Sequence, residues 1–335
     1  MVEAEKYVPN IEFPSLPARL PTSEAIKSCK QNETNYEPEL WGLEYAVYRY
    51  LERVPEEALR ARYASIVRNI RSYTNPERDR IPIRSYQSSW YWHRKEYQTR
   101  LEFAYRKLPP PKRPLASEAF RSPSAFNPRD VPNGVDVLFR YGKREHMESL
   151  ALRGQLRAAP ASSYEAMEHN EARRDEERRK RSFMPGKHTK ITTADGKPIE
   201  ILGDVTRTIT GSQYHLICFS REWDEKLFDD FEADACAVIF NPKEFIRRLG
   251  RASADTFPGW YFHHDPVSYF DPYEMGRDEY FDASMSKDFS FAYQNEYRVI
   301  WSRRSARPVE GFQLAEIGNA QDIVKLFDRN GLPIT

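Results

Sequence analysis

Cysteine is scarce in this chain. Only Cys29, Cys218 and Cys236 occur in 335 residues. An odd count with no CxxC spacing excludes a disulfide framework and a zinc ribbon. Cys218 and Cys236 sit within the apolar runs HLICF and ACAVIF, which predicts buried thiols. No apolar run reaches the roughly 20 residues of a membrane span. The opening MVEAEKYVPN has neither the basic start nor the apolar stretch of a signal peptide. The expected compartment is the cytoplasm, with no membrane partner. An excess of one charge sign is missing as well: 51 Lys+Arg face 50 Asp+Glu, a formal net charge of +1. That balance excludes a strongly basic nucleic-acid binder and an acidic-tail protein, so any basic surface is local. There is no GxxxxGK[ST], no strand followed by GxGxxG, no GxSxG and no HExxH. P-loop, Rossmann, hydrolase-elbow and zincin chemistry are left without support.

Aromatics and prolines are plentiful. A mean hydropathy of −0.77 points towards disorder, but 13% aromatic content argues for a folded core. Residues 1–38 hold five of the 24 prolines and no periodicity, which predicts an extended arm. Three-and-four spacing then predicts three helices, carried by Leu40–Leu51, Leu59–Ile70 and Tyr97–Leu108. They make a small helical bundle over 39–108. The proline-rich run over 109–134 breaks all periodicity and reads as a stiff connector. It is the best domain boundary, leaving 135–335 as a second domain.

That second domain alternates short strands with few helices. VDVLFRYG, QLRAA, YHLICFS, ACAVIF, WYFHH, NEYRVIW and FQLAEI read as strands. KITTADGKPIEIL carries a D-G hairpin signal. Helices are expected over 143–154, stopped by Gly154, and over 163–181, 221–231, 242–249 and 319–328. The fold class is α+β, not a doubly wound parallel sheet.

Several polar clusters read as structural. Adjacent His263 and His264 point to opposite faces of a strand, so they do not share a metal ion. Asp224, Asp229 and Asp230 do not share one helix face, and no metal site is expected. The basic–aromatic stripe of the bundle (Arg60, Arg62, Arg68, Arg71, then Trp90–Lys95) suits single-stranded nucleic acid or, more simply, the polar face of an amphipathic bundle.

Three strand-end features stand out together: Arg140 in LFRYG, Ser220 closing LICFS, and Gln294-Asn295-Glu296 opening NEYRVIW. Strand ends bring separate segments to one cleft. Arg grips phosphate with its planar fork, and a carboxylate stabilises a sugar oxocarbenium. Each also has a structural reading. Arg140 can pair with an acidic neighbour, Ser220 can cap the helix after it, and Glu296 can pair with Arg298 along one strand face.

The order Arg–Ser–Glu resembles the arginine-serine-glutamate branch of the ADP-ribosyltransferase superfamily, over about residues 135–320. The CFS strand and the Tyr-Gln-Asn-Glu-Tyr-Arg-Val stretch also resemble a widespread bacterial domain family related to abortive-infection proteins. The resemblance implies a split β-sheet domain with NAD, as substrate, in a cleft between two small sheets. Arg140, with Tyr141 beside it, then holds the NAD phosphates or ribose. Ser220 lies near the nicotinamide ribose and orients Glu296. Glu296 stabilises the oxocarbenium, and Gln294, on the same face, meets the acceptor. Gln at that position leans towards a protein amide or a nucleobase, so a nucleic-acid or protein acceptor is implied. Tyr164, Trp223 and Tyr293 are the stacking candidates. A toxin or phage-defence role with an antitoxin or regulatory partner fits this family. The alternatives are a non-catalytic binding or adaptor protein on a degenerate transferase fold, and an NAD glycohydrolase. A Glu296 that is exposed, or ion-paired away from any cleft, defeats the enzyme reading.

Overall fold

The computed structural model describes residues 38–73, 89–111, 136–165, 178–274, 282–303 and 311–335. The expected arm and most of the expected linker lie outside them, as does Cys29. The chain divides into two compact units. Unit 1 takes Met1–Phe120, Ser182–Arg207 and Asp271–Asp278, and unit 2 takes Arg121–Arg181, Thr208–Phe270 and Glu279–Thr335. Two segments of the expected 135–335 domain therefore belong with the helices. A composition break marks where a chain leaves a unit, not where it returns. No helix of the described residues is long and apolar enough to cross a membrane.

In unit 1, α1 (Pro38–Tyr48) and α2 (Glu56–Tyr73) both pack on α3 (Ser89–Tyr105), matching the three-helix expectation. Trp41, Tyr45, Leu51, Leu59, Tyr97, Leu101 and Phe103 form the core. Much of the described basic–aromatic stripe turns inward instead of presenting a solvated face. Arg62, His93, Arg94 and Lys95 are buried. Arg62 donates both Nη atoms to Asp271 at 2.8 and 2.7 Å, and Lys95 Nζ lies 2.9 Å from the same carboxylate. Glu274 takes Arg94 and Lys95, both at 3.3 Å. The stripe thus holds the 271–274 segment by charge. Arg60 keeps the expected outward role, paired with Glu56 along one face.

In chain order, unit 2 opens with β1 (Leu138–Gly142), α4 (Arg144–Arg153), β2 (Gln155–Pro160) and the short α5 (Ala161–Glu165). Gly154, in the left-handed region at φ 67°, ends α4. A Cβ there would meet the Gly318 carbonyl oxygen at 2.0 Å, so only glycine makes this turn. β3 (Arg179–Met184) pairs with β6 (Val205–Thr210). Between them in the chain, β4 (Ile191–Thr192) and β5 (Pro198–Ile199), which belong to unit 1, form the expected hairpin. Of the helix expected over 163–181, residues 163–165 are helical in α5 and 179–181 belong to β3, while 166–177 lie outside the described residues.

β7 (Tyr214–Ser220), α6 (Lys226–Asp230), β8 (Ala235–Ile239), α7 (Pro242–Thr256) and β9 (Tyr261–Pro266) follow. Then come β10 (Ser268–Phe270), β11 (Ser286–Asp288), β12 (Glu296–Ser302), β13 (Gln313–Glu316) and β14 (Val324–Phe327). The main sheet runs β13-β2-β7-β1-β8-β14, with β12 joining β7 to β9. The architecture is mixed helix and sheet, as α+β requires. α4 and α7 cover one face through Leu150, Phe245, Leu249, Ile217 and Trp301. The expected helix at 319–328 is instead a turn and β14. Val324, Leu326 and Phe327 are buried, and VKLF pairs with β8. Its spacing suits a helix, but β8 is apolar throughout and needs a partner on its second edge. The helix expected at 221–231 is only α6, with Asp224 Oδ1 accepting from Lys226 N at 2.9 Å.

Asp271→Asn leaves Arg62 and Lys95 buried without their counter-charge. Unit 1 should lose about 3–5 kcal/mol, read as a shifted urea midpoint in far-UV circular dichroism. The two cations hold the Asp271 carboxyl well below the usual carboxylate range despite its burial. The folded-state pKa is depressed, so the contribution is present above the ordinary Asp value and is lost only as pH falls far below it.

Candidate functional site

β7 is paired along its whole length by β12, with Ser220 opposite Glu296 and Cys218 opposite Arg298. Its other edge is shared. β2 pairs at Leu216 and His215, and β1 pairs at Ser220. The two strands part beside Ile217–Phe219, and a cleft opens there. At about 760 Å³ it lies within the roughly 300–1,000 Å³ range of small-molecule sites. Arg140, Tyr141, Tyr164, Cys218, Ser220, Gln294 and Glu296 all line it.

Strand alternation sorts these residues. Leu216, Cys218 and Ser220 share a face with their partners Glu296 and Arg298. Phe139, paired with Ser220, lies on that face too, which sends Arg140 to the other. Arg140 works within the split: its Nη1 donates to the Cys218 carbonyl oxygen at 2.8 Å, and its guanidinium lies 5.6 Å from the Phe219 ring centroid. It supplies a donor where the ladder is interrupted.

Glu296 is 4% exposed. Arg298 Nε donates to Oε1 at 2.6 Å and Lys287 Nζ to Oε2 at 2.9 Å. Burial opposes the charged form, but the Arg298 and Lys287 cations outweigh it, with a smaller contribution from the Cys218 thiol. The carboxyl is held well below the usual carboxylate range. Its backbone N–H donates to the Tyr269 hydroxyl at 2.9 Å. Glu296 therefore meets the structural expectation, a pair with Arg298, and also faces the cleft. Lys287 and Tyr269 went unseen in the sequence, since the local run MSKDF carries no signal of a buried lysine.

Gln294 is not on the strand with Glu296. It ends the 3₁₀ helix Phe289–Gln294, and Asn295 turns the chain in the left-handed region at φ 40°. The two side chains meet through Lys287, whose Nζ also donates to Gln294 Oε1 at 2.9 Å. Gln294 Nε2 donates to the Tyr293 hydroxyl at 3.3 Å. Ser220 does not cap α6, and its Oγ bonds to backbone groups and not to the Glu296 carboxylate. Its Oγ lies 2.8 Å from both the Gln294 and Glu222 carbonyl oxygens, and it accepts from Glu222 N at 3.2 Å. It tethers the end of β7 to the segment that presents Gln294.

Among the aromatics, Tyr164 lines the cleft beside the Leu216 cluster. Tyr141 lines it too, its hydroxyl accepting from Asp224 N at 2.9 Å. Trp223 is core instead, packed on Phe139, Tyr141 and Phe228. Tyr293 is likewise buried and does not line the cleft. Cys236 is buried as expected, but Cys218 is only half-buried because it faces the cleft. His263 and His264 are exposed on β9, and His264 Nδ1 lies 2.7 Å from the Tyr297 hydroxyl. Among the described residues no group of three His, Cys, Asp or Glu side chains could hold a metal ion. Comparison with protein-family models, with curated proteins and with solved structures gives no match.

Asp224, whose N–H donates to the cleft residue Tyr141, provides a titration test behind the cleft. Burial raises its carboxyl to about 6, against the pull of the Lys226 N–H. With the folded-state value raised, stability is full below the ordinary Asp pKa and declines as pH rises through about 6. Asp224→Asn keeps an acceptor for Lys226 N and abolishes that decline. Thermal melts should show the variant equal to wild type at pH 4 and more stable at pH 8, by up to about 3 kcal/mol.

Proposed function

We propose that the chain transfers ADP-ribose from NAD to a macromolecular acceptor, using unit 2 as a split-sheet domain of the ADP-ribosyltransferase type. The observation that carries this reading is Glu296: a fixed, ionised carboxylate in a nucleotide-sized cleft, next to Ser220 on the adjoining strand. The strands of Arg140, Ser220 and Glu296 are consecutive neighbours, β1-β7-β12, which supports it further. In this reaction the bond between nicotinamide and ribose C1′ breaks, and its electron pair leaves with the nicotinamide. Positive charge develops on the ribose. Glu296 accepts a hydrogen bond from the 2′-OH and stabilises the oxocarbenium electrostatically. The acceptor's lone pair then bonds C1′, and its proton passes to solvent. Gln294, joined to Glu296 through Lys287, meets the acceptor. An amide there suits a nucleobase or a protein amide, each with donor and acceptor atoms side by side. Such an activity fits a toxin or phage-defence effector held in check by an antitoxin or regulatory partner.

A second reading is nucleotide binding without turnover. It draws on the same cluster, because both Glu296 oxygens already accept from cations. Labelled NAD incubated with the protein and with pooled RNA, DNA or lysate protein separates the two. Transfer to one pool, reduced about 10²–10³-fold in Glu296→Gln, is expected. Nicotinamide release without transfer indicates a glycohydrolase, and no consumption at all leaves binding alone.

The held-down carboxyl gives a pH signature. Wild-type NAD consumption should show no acid limb between pH 4 and 7. Lys287→Met removes one of the cations that keep Glu296 ionised, and the limb should then move up into that range. An identical profile in the variant would show that Lys287 does not govern Glu296.

A further inference from the structure

The alternation that turns Arg140 away from Glu296 brings another arginine onto the Glu296 face. β2 pairs with β7 through Ala159 and Leu216. Arg157, two residues before Ala159, therefore shares the face of Leu216, Cys218 and Ser220. Leu314 of β13 stands opposite Arg157. The Arg157 guanidinium lies 3.8 Å over the Phe312 ring centroid. Arg157 is exposed. Phe312 and Leu314 are 50% and 42% exposed, and all three side chains line the cleft. The approach to β13 is pinned where His215 Nε2 meets the Gly311 carbonyl oxygen at 3.1 Å.

A large apolar ring left half in solvent at a cleft wall, with a cation placed over it, is more than core packing. Stacking occupies the face of the guanidinium and leaves its N–H edge to fork two oxygens of one anion. We infer that Arg157, placed over the Phe312 ring, is the phosphate grip of this cleft and binds a nucleotide phosphodiester or pyrophosphate. The inference rests on the reading of the cleft as a nucleotide site. It reassigns the phosphate contact from Arg140, whose Nη1 is engaged by the β7 backbone. Lysine cannot replace Arg157, because a point charge neither stacks on the ring nor forks two oxygens.

The phosphate has two sources, the pyrophosphate of NAD or the backbone of a single-stranded acceptor, and two binding series distinguish them. Dissociation constants are measured for NAD and for an oligothymidylate, with wild type, Arg157→Ala, Arg157→Lys and Phe312→Leu. Both residues are exposed, so unchanged melting temperatures are expected and check the fold. Arg157→Ala should weaken the ligand whose phosphate it holds by about tenfold or more. Arg157→Lys should fail to restore it, and Phe312→Leu should weaken it by a smaller factor. Loss confined to NAD assigns the pyrophosphate. Loss confined to the oligonucleotide, with a salt slope lowered by about one, assigns the strand backbone. Unchanged affinity of Arg157→Ala for both ligands overturns the inference. A wild-type protein that binds neither ligand is a different failure, that of the nucleotide reading itself.

Discussion

A β-strand has two edges, and the second edge of β7 is divided between two strands. β1 and β2 both run antiparallel to β7, so they run parallel to each other and need a crossover. That crossover is α4, ten residues or about 15 Å long, turned back by Gly154. With β2 paired at one end of β7 and β1 at the other, the middle of the edge cannot be closed by backbone. Arg140 donates to the Cys218 carbonyl in that gap. The cleft is thus a consequence of connection, and its residues are those whose strands meet or part along β7.

Each unit holds a buried carboxylate between an arginine and a lysine. In unit 1 Asp271 sits between Arg62 and Lys95, and in unit 2 Glu296 sits between Arg298 and Lys287. Such clusters are weak evidence for stability, since desolvation consumes much of the attraction. They do fix position. A buried charge without its counter-charge is costly, so each arrangement admits few alternatives. In unit 2 the same Lys287 ammonium also takes Gln294. Two side chains from opposite sides of the Asn295 bend are thereby held as one group.

The amphipathic spacing of α1–α3, the apolar β7 and β8, the D-G hairpin and the Gly154 stop were legible because each is a local pattern. So was the meeting of Arg140, Ser220, Gln294 and Glu296 at one cleft, since strand ends converge. The faces were not. Which side of the sheet Arg140 takes depends on the single pairing of Phe139 with Ser220, which no local pattern encodes. Arg157 and Phe312 lie 155 positions apart and meet only because β13 pairs with β2. VKLF was misread for a related reason, because four apolar-rich residues suit a helix face or a core strand until a neighbouring edge decides. The buried Arg62 and Lys95 followed the usual rule for charged residues until Asp271 returned to meet them.

The Glu296 cluster holds one negative and two positive charges, and that surplus bears on the proposed chemistry. A cation forming near Glu296 also feels Arg298 and Lys287. Stabilisation then depends on distance: an oxygen in hydrogen-bond contact acts more strongly than a cation behind it, because the Coulomb energy falls with separation. The surplus itself favours a ligand that brings negative charge, as a pyrophosphate does. In the proposed reaction, bound phosphates would offset the two cations and leave the Glu296 carboxylate to act on the ribose. On this reading the ion pairs and the catalytic role are complementary. The cations keep Glu296 ionised in a buried site, and the substrate's own phosphates counter their field when it binds.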